Sequence, residues 1–512
     1  GACLLTRTDL YRQLGGFDPK RFRVAYNDVD YCLRAQAAGY RVVVSPQAVL
    51  QHVGSASRGN SYTETEHVAF GDAYGSVRDP FVSDVMDFPP AEFQLNPYSH
   101  RAARTAHPFH ALVITHNLKL EGAPIFIFEY ARYLAEQAGV RVTVASPEDG
   151  PLRARFESAG LPVQIWDVAA LAQPTSHPGF DAALKAFATS HPCTEFDVIV
   201  SNTMVTFWAM HLAAFVAKPS VLYVHESMPV KKFFQNSLPA TLHNLVEDAY
   251  RDATRVVFTA RSTRTFFEEL NVNDNFRTLP SWVDLGRIEA FAKANEKAAL
   301  RRKHGLDPDK ILVVNVGSVC ERKGQHVYVR AIDQLNKELP IRYAGRAEIE
   351  FVIVGARPGL YMESLAQDID LLGLKNLRVF DETPDIYDFY RLADILVCTS
   401  FEESFPRVLL EAMGFRVPIV STNVNGIPEM LVNHDEAFLI PAGDPFKLVD
   451  ALKKALDDVF ADSTKMTSLA YARASRDFSK GRSLPRHLAN AREAFLTGAE
   501  KPAAVASNVT SP

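Results

Sequence analysis

Short apolar runs, each followed by a polar loop and a longer segment with helical spacing, recur through most of the chain. An early example is the run 111–115, which precedes an amphipathic segment ending at Leu134 and a second apolar run at 141–145. Such runs are typical of strands in a parallel sheet, which are covered on both faces. The alternation predicts a doubly wound α/β fold, because right-handed crossovers place successive strands in one parallel sheet.

The predicted strands fall into two groups, each sufficient for one sheet. The first group comprises 111–115, 141–145, 163–165, 197–200, 220–224 and 255–258, and the second comprises 311–316, 350–354, 377–380, 395–397 and 418–421. We therefore predict two Rossmann-like lobes that meet near 280–310 and enclose a cleft. Ligands of open α/β sheets bind at the carboxyl ends of the strands, so we expect chemistry-bearing residues there.

Composition and charge limit the partners and the cellular location that we expect for this chain. The 512 residues carry a net charge of −5, which gives no indication of a nucleic-acid partner. The five cysteines lack metal-ligand spacing and are expected to be reduced thiols in the cytoplasm. No apolar run reaches the roughly 20 residues needed to cross a bilayer, so we expect a cytoplasmic protein, with peripheral association at the inner face of the membrane as an open alternative. Because the chain begins with Gly1, we also expect a fragment of a longer protein.

Two carboxylates, Glu403 and Glu411, flank the point where a predicted strand gives way to a predicted helix. With a rise of about 1.5 Å per residue, Glu411 lies on the second turn of that helix and Glu403 on the preceding loop. Both side chains can then face one crevice and hold two parts of a polyol ligand. The structural alternative is that both acids only cap the helix, whose dipole favours acidic side chains at its N-terminus.

The segment 400–413 resembles the signature of retaining glycosyltransferases of family 4, which have the GT-B fold. The resemblance continues through 423–429 and 441–444 and back to 317–324. It implies transfer of a sugar from a UDP-, GDP- or dTDP-sugar to a glycan or lipid-linked glycan, with retention of anomeric configuration and without a metal cofactor. Surface polysaccharide biosynthesis is the expected setting.

The resemblance also implies roles for residues of the second lobe. Glu403 is expected beside the transferred sugar, and Glu411 on the ribose hydroxyls of the donor. Lys323 is expected to neutralise the departing diphosphate. Family members usually add an arginine directly after the preceding glycine; Ser318 stands there in this chain, so Arg322 is expected to take over that role.

Three further residues follow Glu403 in the same loop. The amides of Ser404 and Phe405 open the helix and are expected to face a phosphate of the donor. Arg407 replaces the small or apolar residue that is common in the family, and we expect it on a solvated helix face.

In the first lobe, His225 and Gly122 are the candidate residues. His225 follows the strand 220–224, where the family places a histidine against the transferred sugar, and a neutral imidazole can donate to a hydroxyl. Glu226 is expected either to orient His225 or to have no role. Gly122 belongs to a small-residue turn that lets the donor phosphate approach the backbone. His116, at a strand exit, is either an acceptor contact or an incidental loop residue.

The first hundred residues resemble the C-terminal part of an inverting family 2 glycosyltransferase with the GT-A fold, on the segments 15–18, 27–34, 39–46 and 54–59. The resemblance implies that Asp28 is the catalytic base, that Asp30 belongs to the same acidic motif, and that His52 ligates a divalent metal. The nucleotide-binding strands that should precede this region are absent from the sequence. We therefore expect this segment to be inactive by itself, and a metal to be needed only in a complete GT-A module.

The predicted domains follow from these observations. They are a truncated GT-A part at 1–100, a linker at 101–108, an acceptor lobe at 109–285, a donor lobe at 286–465, C-terminal helices at 466–500 and a disordered tail at 501–512. Two rival functions stay open: a non-catalytic sugar-binding or scaffold protein of the same shape, and a sugar-nucleotide epimerase.

Overall fold

The computed structural model describes residues 4–23, 26–40, 42, 66, 69, 86–87, 94–95, 108–137 and 139–499. His52, the predicted tail 501–512 and all but the last residue of the predicted linker 101–108 lie outside these residues. The chain divides into two compact units, Gly1–Gln94 and Leu95–Pro512.

Among its described residues, the first unit includes the helices α1 (Thr8–Gln13) and α2 (Asn27–Ala37) and the strand β1 (Met86–Asp87). The rings of Tyr11, Phe17 and Tyr31 pack against one another with centroids 5.5 to 5.8 Å apart. This aromatic contact joins α1, α2 and the turn between them. A further two-residue strand, β2 (Gln94–Leu95), lies at the boundary of the units.

The first lobe of the second unit is a seven-stranded parallel sheet in the order β5-β4-β3-β6-β7-β8-β9. Its strands are β3 (Phe109–Thr115), β4 (Val140–Ser146), β5 (Val163–Ile165), β6 (Val198–Asn202), β7 (Ser220–Val224), β8 (Arg255–Phe258) and β9 (Phe276–Thr278). Its helices are α3 (Gly122–Ala135), α4 (Leu152–Ser158), α5 (Ala169–Ala172), α6 (His177–Ser190), α7 (Trp208–Phe215), α8 (Val230–Phe233), α9 (His243–Asp252) and α10 (Arg261–Thr265).

The second lobe is a six-stranded parallel sheet in the order β12-β11-β10-β13-β14-β15. Its strands are β10 (Ile311–Val316), β11 (Ile349–Ala356), β12 (Leu377–Asp381), β13 (Ile395–Cys398), β14 (Ile419–Thr422) and β15 (Phe438–Ile440). Its helices are α11 (Leu285–Ala294), α12 (Lys297–Lys303), α13 (Gln325–Arg342), α14 (Leu360–Leu371), α15 (Ile386–Leu392), α16 (Arg407–Gly414), α17 (Ile427–Met430), α18 (Pro445–Phe460) and α19 (Lys465–Asp477).

Strand burial explains the short apolar runs. In β3, Leu112 and Ile114 belong to the apolar core on one face of the sheet, whereas Ala111 and Val113 belong to the core on the other. Successive side chains of a strand point to opposite faces, so a strand with helices on both sides must be apolar throughout. The prediction of two parallel α/β sheets is confirmed.

A last helix, α20 (Lys480–Ala499), returns from the second lobe to the first. The buried ring of His487 stacks on Tyr223 of β7, with centroids 5.6 Å apart. The hydroxyl of Tyr130 on α3 donates to the His487 carbonyl at 3.0 Å. The chain therefore crosses between the lobes twice, and α20 closes the first lobe.

Across the described residues, we find no helix that combines the length and the apolar character needed to cross a membrane.

Candidate functional site

The loop that carries Lys323 lies against the loop that carries Glu403 at the carboxyl edge of the second sheet. Gly324 has a positive φ of 65°, and a Cβ on it would lie 2.4 Å from the carbonyl oxygen of Thr399. The Thr399 hydroxyl donates to the Lys323 carbonyl at 3.0 Å, and the Phe401 amide donates to the Arg322 carbonyl at 2.8 Å. Only glycine permits this close approach, so the Lys-Gly step is what brings Lys323 to the acidic loop.

Glu403 is buried and surrounded by donors. Lys323 donates to Oε1, and the Ser400 hydroxyl donates to the same oxygen at 2.7 Å. Arg322 lies 3.6 Å from Oε2 and donates to the Glu402 carbonyl at 3.0 Å. Three of the predicted residues, Glu403, Lys323 and Arg322, are thus brought together in one contact.

The charge of Glu403 follows from these neighbours. Burial by itself would raise the pKa of the carboxyl, but the positive charges of Lys323 and Arg322 and the two hydrogen bonds lower it below its ordinary value. Glu403 is therefore ionised at neutral pH and acts as a hydrogen-bond acceptor.

Glu411 lies on the second turn of α16, as predicted, but its surroundings differ from the expectation. Arg407, at the start of α16, donates to Glu411 at 3.4 Å and to both oxygens of Glu129 on α3 at 3.0 and 3.1 Å. The prediction that Arg407 lies on a solvated helix face is wrong, since its side chain is only 15% exposed. No local sequence pattern could indicate this contact, because Glu129 is 278 residues away along the chain.

The side chains of Ser404 and Phe405 are engaged elsewhere. The Ser404 hydroxyl bonds the hydroxyls of Thr259 and Thr263 of the first lobe at 2.7 and 2.9 Å. Phe405 is buried, with its ring 5.2 Å from that of Phe478. Only the backbone of these two residues stays available for the predicted phosphate contact.

In the first lobe, a chain of hydrogen bonds joins the predicted residues at the carboxyl edge of the sheet. His225 Nε2 pairs with Asn202 Oδ1 at 2.8 Å, and Asn202 Nδ2 donates to the Ala123 carbonyl at 2.9 Å. Ala123 follows Gly122, the first residue of α3. The ends of β6 and β7 and the start of α3 are thereby fixed to one another.

The imidazole of His225 is neutral over the physiological range. Burial lowers its pKa to about 3, with a smaller contribution from His116 at the end of β3. Glu226 does not bind the ring; its Oε2 accepts from the backbone amides of His225 and Met204 at 3.0 and 3.1 Å. Burial raises the pKa of Glu226, and nearby Arg322 of the second lobe opposes that rise. Arg322 thus lies close enough to the first lobe for its charge to act there.

Arg357, at the turn after β11, is a cleft residue to which the sequence analysis gave no role. It donates to the Ser318 hydroxyl at 2.7 Å, to Glu382 at 2.6 Å and to Glu121 of the first lobe at 3.1 Å. Its guanidinium therefore reaches Ser318, the position where an arginine is usual in the resembled family. The missing arginine at residue 318 was the signal that could have drawn attention to it.

In the first unit, the predicted acidic pair separates into two environments. Asp30 is fully buried, and its Oδ2 accepts from Arg34 at 2.7 and 2.9 Å. Arg34 also donates to the carbonyls of Leu14 and Gly16 at 2.5 and 2.7 Å. Arg34, held in place by Asp30, therefore ties α2 to the preceding turn. Asp28 is half-buried in the first turn of α2 and accepts from the Val29 amide at 2.9 Å.

Comparisons with known proteins agree with the two lobes. Residues 120–287 match the family described as Glycosyltransferase Family 4, and residues 296–473 match Glycosyl transferases group 1. A D-inositol 3-phosphate glycosyltransferase of Paenarthrobacter aurescens is 30% identical over 189 residues, which cover 36% of this chain and 44% of that protein. The enzyme of the same name from Pseudarthrobacter chlorophenolicus is 25% identical over 360 residues, 66% of this chain and 82% of that protein.

Most of the curated relatives with the strongest similarity are matched over less than half of their own length, for example 41% for the one from Corynebacterium glutamicum. Among solved structures, Anabaena Alr3699/HepE in complex with UDP-glucose superposes with a TM-score of 0.62 at 21% identity, covering 74% of this chain and 98% of that one. The lipopolysaccharide glycosyltransferase WaaG gives 0.55 at 18% identity, over 74% of this chain and 98% of that one. Each lobe therefore matches a glycosyltransferase family model, and together they have the GT-B fold, while neither family match includes the first unit.

Proposed function

We propose that this protein is a retaining glycosyltransferase that moves a sugar from a nucleotide-sugar donor to a glycan or lipid-linked glycan acceptor. The observation that carries the proposal is the contact of Glu403 with Lys323 and Arg322 at the edge of the second sheet, close to the first lobe. An ionised carboxylate beside two cations suits a donor that has both sugar hydroxyls and a diphosphate.

The donor subsite is built from the second lobe. Lys323 and Arg322 compensate the charge that develops on the diphosphate as the bond to the sugar C1 breaks. Glu411 accepts from the ribose hydroxyls, and the backbone amides of Ser404 and Phe405 face a phosphate. Because neighbouring folds were determined with UDP-glucose and with UDP, a UDP-sugar is the first donor to test, ahead of GDP- and dTDP-sugars.

The reacting sugar lies between the lobes. Glu403 accepts from its hydroxyls and supports the positive charge of an oxocarbenium-like transition state. His225 cannot donate to a sugar hydroxyl as predicted, because its neutral ring donates its one N–H, at Nε2, to Asn202 Oδ1. Its Nδ1 instead accepts from a hydroxyl of the sugar. The donor C1–O bond breaks and the nucleoside diphosphate departs, a new bond forms from the acceptor oxygen to C1 on the same face, and the acceptor hydroxyl proton passes to the departing phosphate oxygen.

The acceptor is the least constrained part of the proposal. The curated relatives are named for D-inositol 3-phosphate, and one structural neighbour is described as acting in lipopolysaccharide biosynthesis. A polyhydroxylated acceptor of a surface polysaccharide pathway agrees with both descriptions. The setting is the cytoplasm or the inner face of the membrane.

Product analysis tests the proposal. The protein is incubated with UDP-glucose and with D-inositol 3-phosphate or a short glycan, and the anomeric proton of the product is identified by NMR. We expect a product with the donor's anomeric configuration, formed at an unchanged rate after chelation of divalent metals. An inverted product, or turnover that stops on chelation, would contradict the mechanism. Binding of the nucleotide without any turnover would favour a non-catalytic protein, and an isomerised sugar nucleotide would favour an epimerase.

A further inference from the structure

A buried charge cluster joins the two lobes beside the donor subsite. We define the Arg407 cluster as Arg407 and Glu411 of α16 together with Glu129 of α3 and Trp282. Arg407 binds both oxygens of Glu129, and the Trp282 indole N–H donates to Glu129 Oε2 at 2.7 Å. Glu129, Glu411 and Trp282 are each less than a tenth exposed. The cluster thus contains one cation and two carboxylates that are largely shielded from water.

Arg407 is bound more tightly to Glu129 than to Glu411. Its two bonds to Glu129 have the parallel form of a guanidinium–carboxylate pair, which fixes the guanidinium plane. Glu411 receives from Arg407 a single bond of 3.4 Å. Glu129 therefore anchors Arg407, and Arg407 reaches Glu411 from this fixed position.

Several neighbouring groups influence whether the Glu411 carboxyl is charged. The pKa of Glu411 is raised above its ordinary value: burial is the main cause, the negative charge of Glu129 adds to the rise, and the charge of Arg407 and the nearby hydroxyl of Tyr390 of α15 oppose it. Tyr387 of the same helix also faces this carboxyl, and Arg287 of α11 lies 4.8 Å from the ring centre of Tyr387. Without Arg407, two buried carboxylates would face each other, and one of them would take up a proton.

We propose that Arg407 is a positioning residue that orients the Glu411 side chain toward the ribose hydroxyls of the donor, favours its charged form and ties it to Glu129 of the facing lobe. The inference rests on the proposed function, because it takes Glu411 to be the ribose contact. It also explains why a helix that borders the donor subsite begins with a buried arginine.

Calorimetric titration with UDP at pH 6 and pH 8 tests this role. For the unaltered protein we expect the Kd to differ by less than about twofold between the two pH values, because the charge of Arg407 favours the ionised form of Glu411. For Arg407→Met we expect a Kd about tenfold higher at pH 8 and a larger loss at pH 6, because the unpaired carboxyl becomes protonated. In Arg407→Lys the charge remains but the fork is lost, so we expect a Kd about threefold higher with a flat pH dependence.

Two controls separate positioning from a general effect on folding. Arg301→Met removes another buried arginine, paired with Asp394 at 2.5 Å at the amino edge of the second sheet, and should leave the pH dependence of UDP binding flat. In the double variant Arg407→Met with Glu411→Gln, the added pH dependence should disappear, because the glutamine cannot titrate.

Three outcomes would overturn the inference. The first is a Kd for Arg407→Met that matches the unaltered protein at both pH values. The second is a pH dependence that persists in the double variant, and the third is the same pH dependence in Arg407→Lys as in Arg407→Met. If Arg407→Met does not fold, a Kd of Arg407→Lys that rises from pH 8 to pH 6 would overturn the inference by itself. Failure of the unaltered protein to bind UDP, GDP or dTDP at either pH would instead refute the proposed function itself, and with it the ribose role of Glu411.

Discussion

At the scale of single residues, burial and neighbouring charges set the protonation state of each side chain in the cleft. Glu403 is kept ionised by two cations although it is buried, and His225 is kept neutral because its pKa is lowered to about 3. These states match the proposed roles, since an ionised carboxylate accepts hydrogen bonds and the neutral imidazole, whose Nε2–H is donated to Asn202, accepts one at Nδ1. Substitutions that change one state at a time can therefore test the roles separately.

Replacement of Glu403 by glutamine tests its role in the transition state. The amide keeps the size of the side chain but cannot support positive charge, so kcat should fall about 100-fold or more, as for the loss of other electrostatic contacts to a transition state. The donor Kd should change less than about threefold, because Glu403 stabilises the transition state more strongly than it stabilises the bound donor. Steady-state kinetics and calorimetry measure the two quantities.

Glu402→Gln is the matched control for that experiment, because Glu402 is the half-buried neighbour with a pKa raised by burial. It should leave kcat within about threefold of the unaltered protein. Equal losses of kcat and donor affinity in Glu403→Gln would contradict the role in the transition state.

Substitutions at two glycines test whether the donor phosphate approaches the backbone at Gly122. A Cβ on Gly122 would meet nothing within 4 Å, whereas a Cβ on Gly426 would lie 1.6 Å from the Ser404 carbonyl oxygen. Gly122→Ala should therefore keep its melting temperature and weaken donor binding. Gly426→Ala should lose about 1–3 kcal/mol of stability, the usual cost of overpacking. Thermal melts with and without UDP measure both effects, and unchanged UDP binding in Gly122→Ala would exclude Gly122 from the donor subsite.

At the scale of elements, the packing of α20 against the first lobe makes the stability of the fold depend on pH. The ring of His487 is fully buried; its Nδ1 pairs with the Tyr223 hydroxyl at 3.0 Å, and its Nε2 donates to the Pro280 carbonyl at 3.2 Å. Burial lowers the pKa of His487 to about 3. The folded protein therefore excludes a proton that the unfolded chain binds below pH about 6.5.

The stability of the protein should consequently fall as the pH drops through this range. The unfolded state binds the extra proton first, so the free energy of unfolding decreases from about pH 6.5 downward, by about 2 kcal/mol for His487 at pH 5. In His487→Gln this part of the decrease should be absent, whatever the variant's stability at pH 7.5. Urea denaturation at pH 7.5, 6 and 5 provides the comparison, and equal slopes against pH in both proteins would show that His487 does not titrate on unfolding.

The strands and helices also show which parts of the structure the sequence could predict. Apolar runs located most strands of both sheets, because a strand buried on both faces needs an unbroken run. They did not reveal β9 and β15, which are three-residue edge strands whose sequences, Phe276–Thr278 and Phe438–Ile440, lack a longer run. The acidic loop and the Lys-Gly step were found because their spacing is local. Arg407 and Arg357 were misjudged or missed because their partners, Glu129 and Glu121, belong to the other lobe.

At the scale of the whole molecule, several polar contacts join the two lobes around the cleft. Arg407 pairs with Glu129, Arg357 pairs with Glu121, and Glu429 accepts from the backbone amides of Arg261 and Ser262 at 2.9 and 2.8 Å. These contacts place the carboxyl edges of both sheets on one cleft, as a donor that spans the lobes requires. The first unit has its own aromatic cluster and buried Asp30–Arg34 pair, and its likeness to a GT-A transferase stays a prediction.

A thermal-shift panel tests whether a nucleotide-sugar binds at Lys323, on which the proposed function depends. UDP-, GDP-, dTDP- and ADP-sugars are added without metal to the unaltered protein and to Lys323→Ala, because a ligand that binds only the folded state raises the melting temperature. We predict a selective rise with one nucleotide class at saturating donor, and its loss in Lys323→Ala. No rise with any of these donors, or an equal rise in both proteins, would contradict a donor site built on Lys323 in the second lobe.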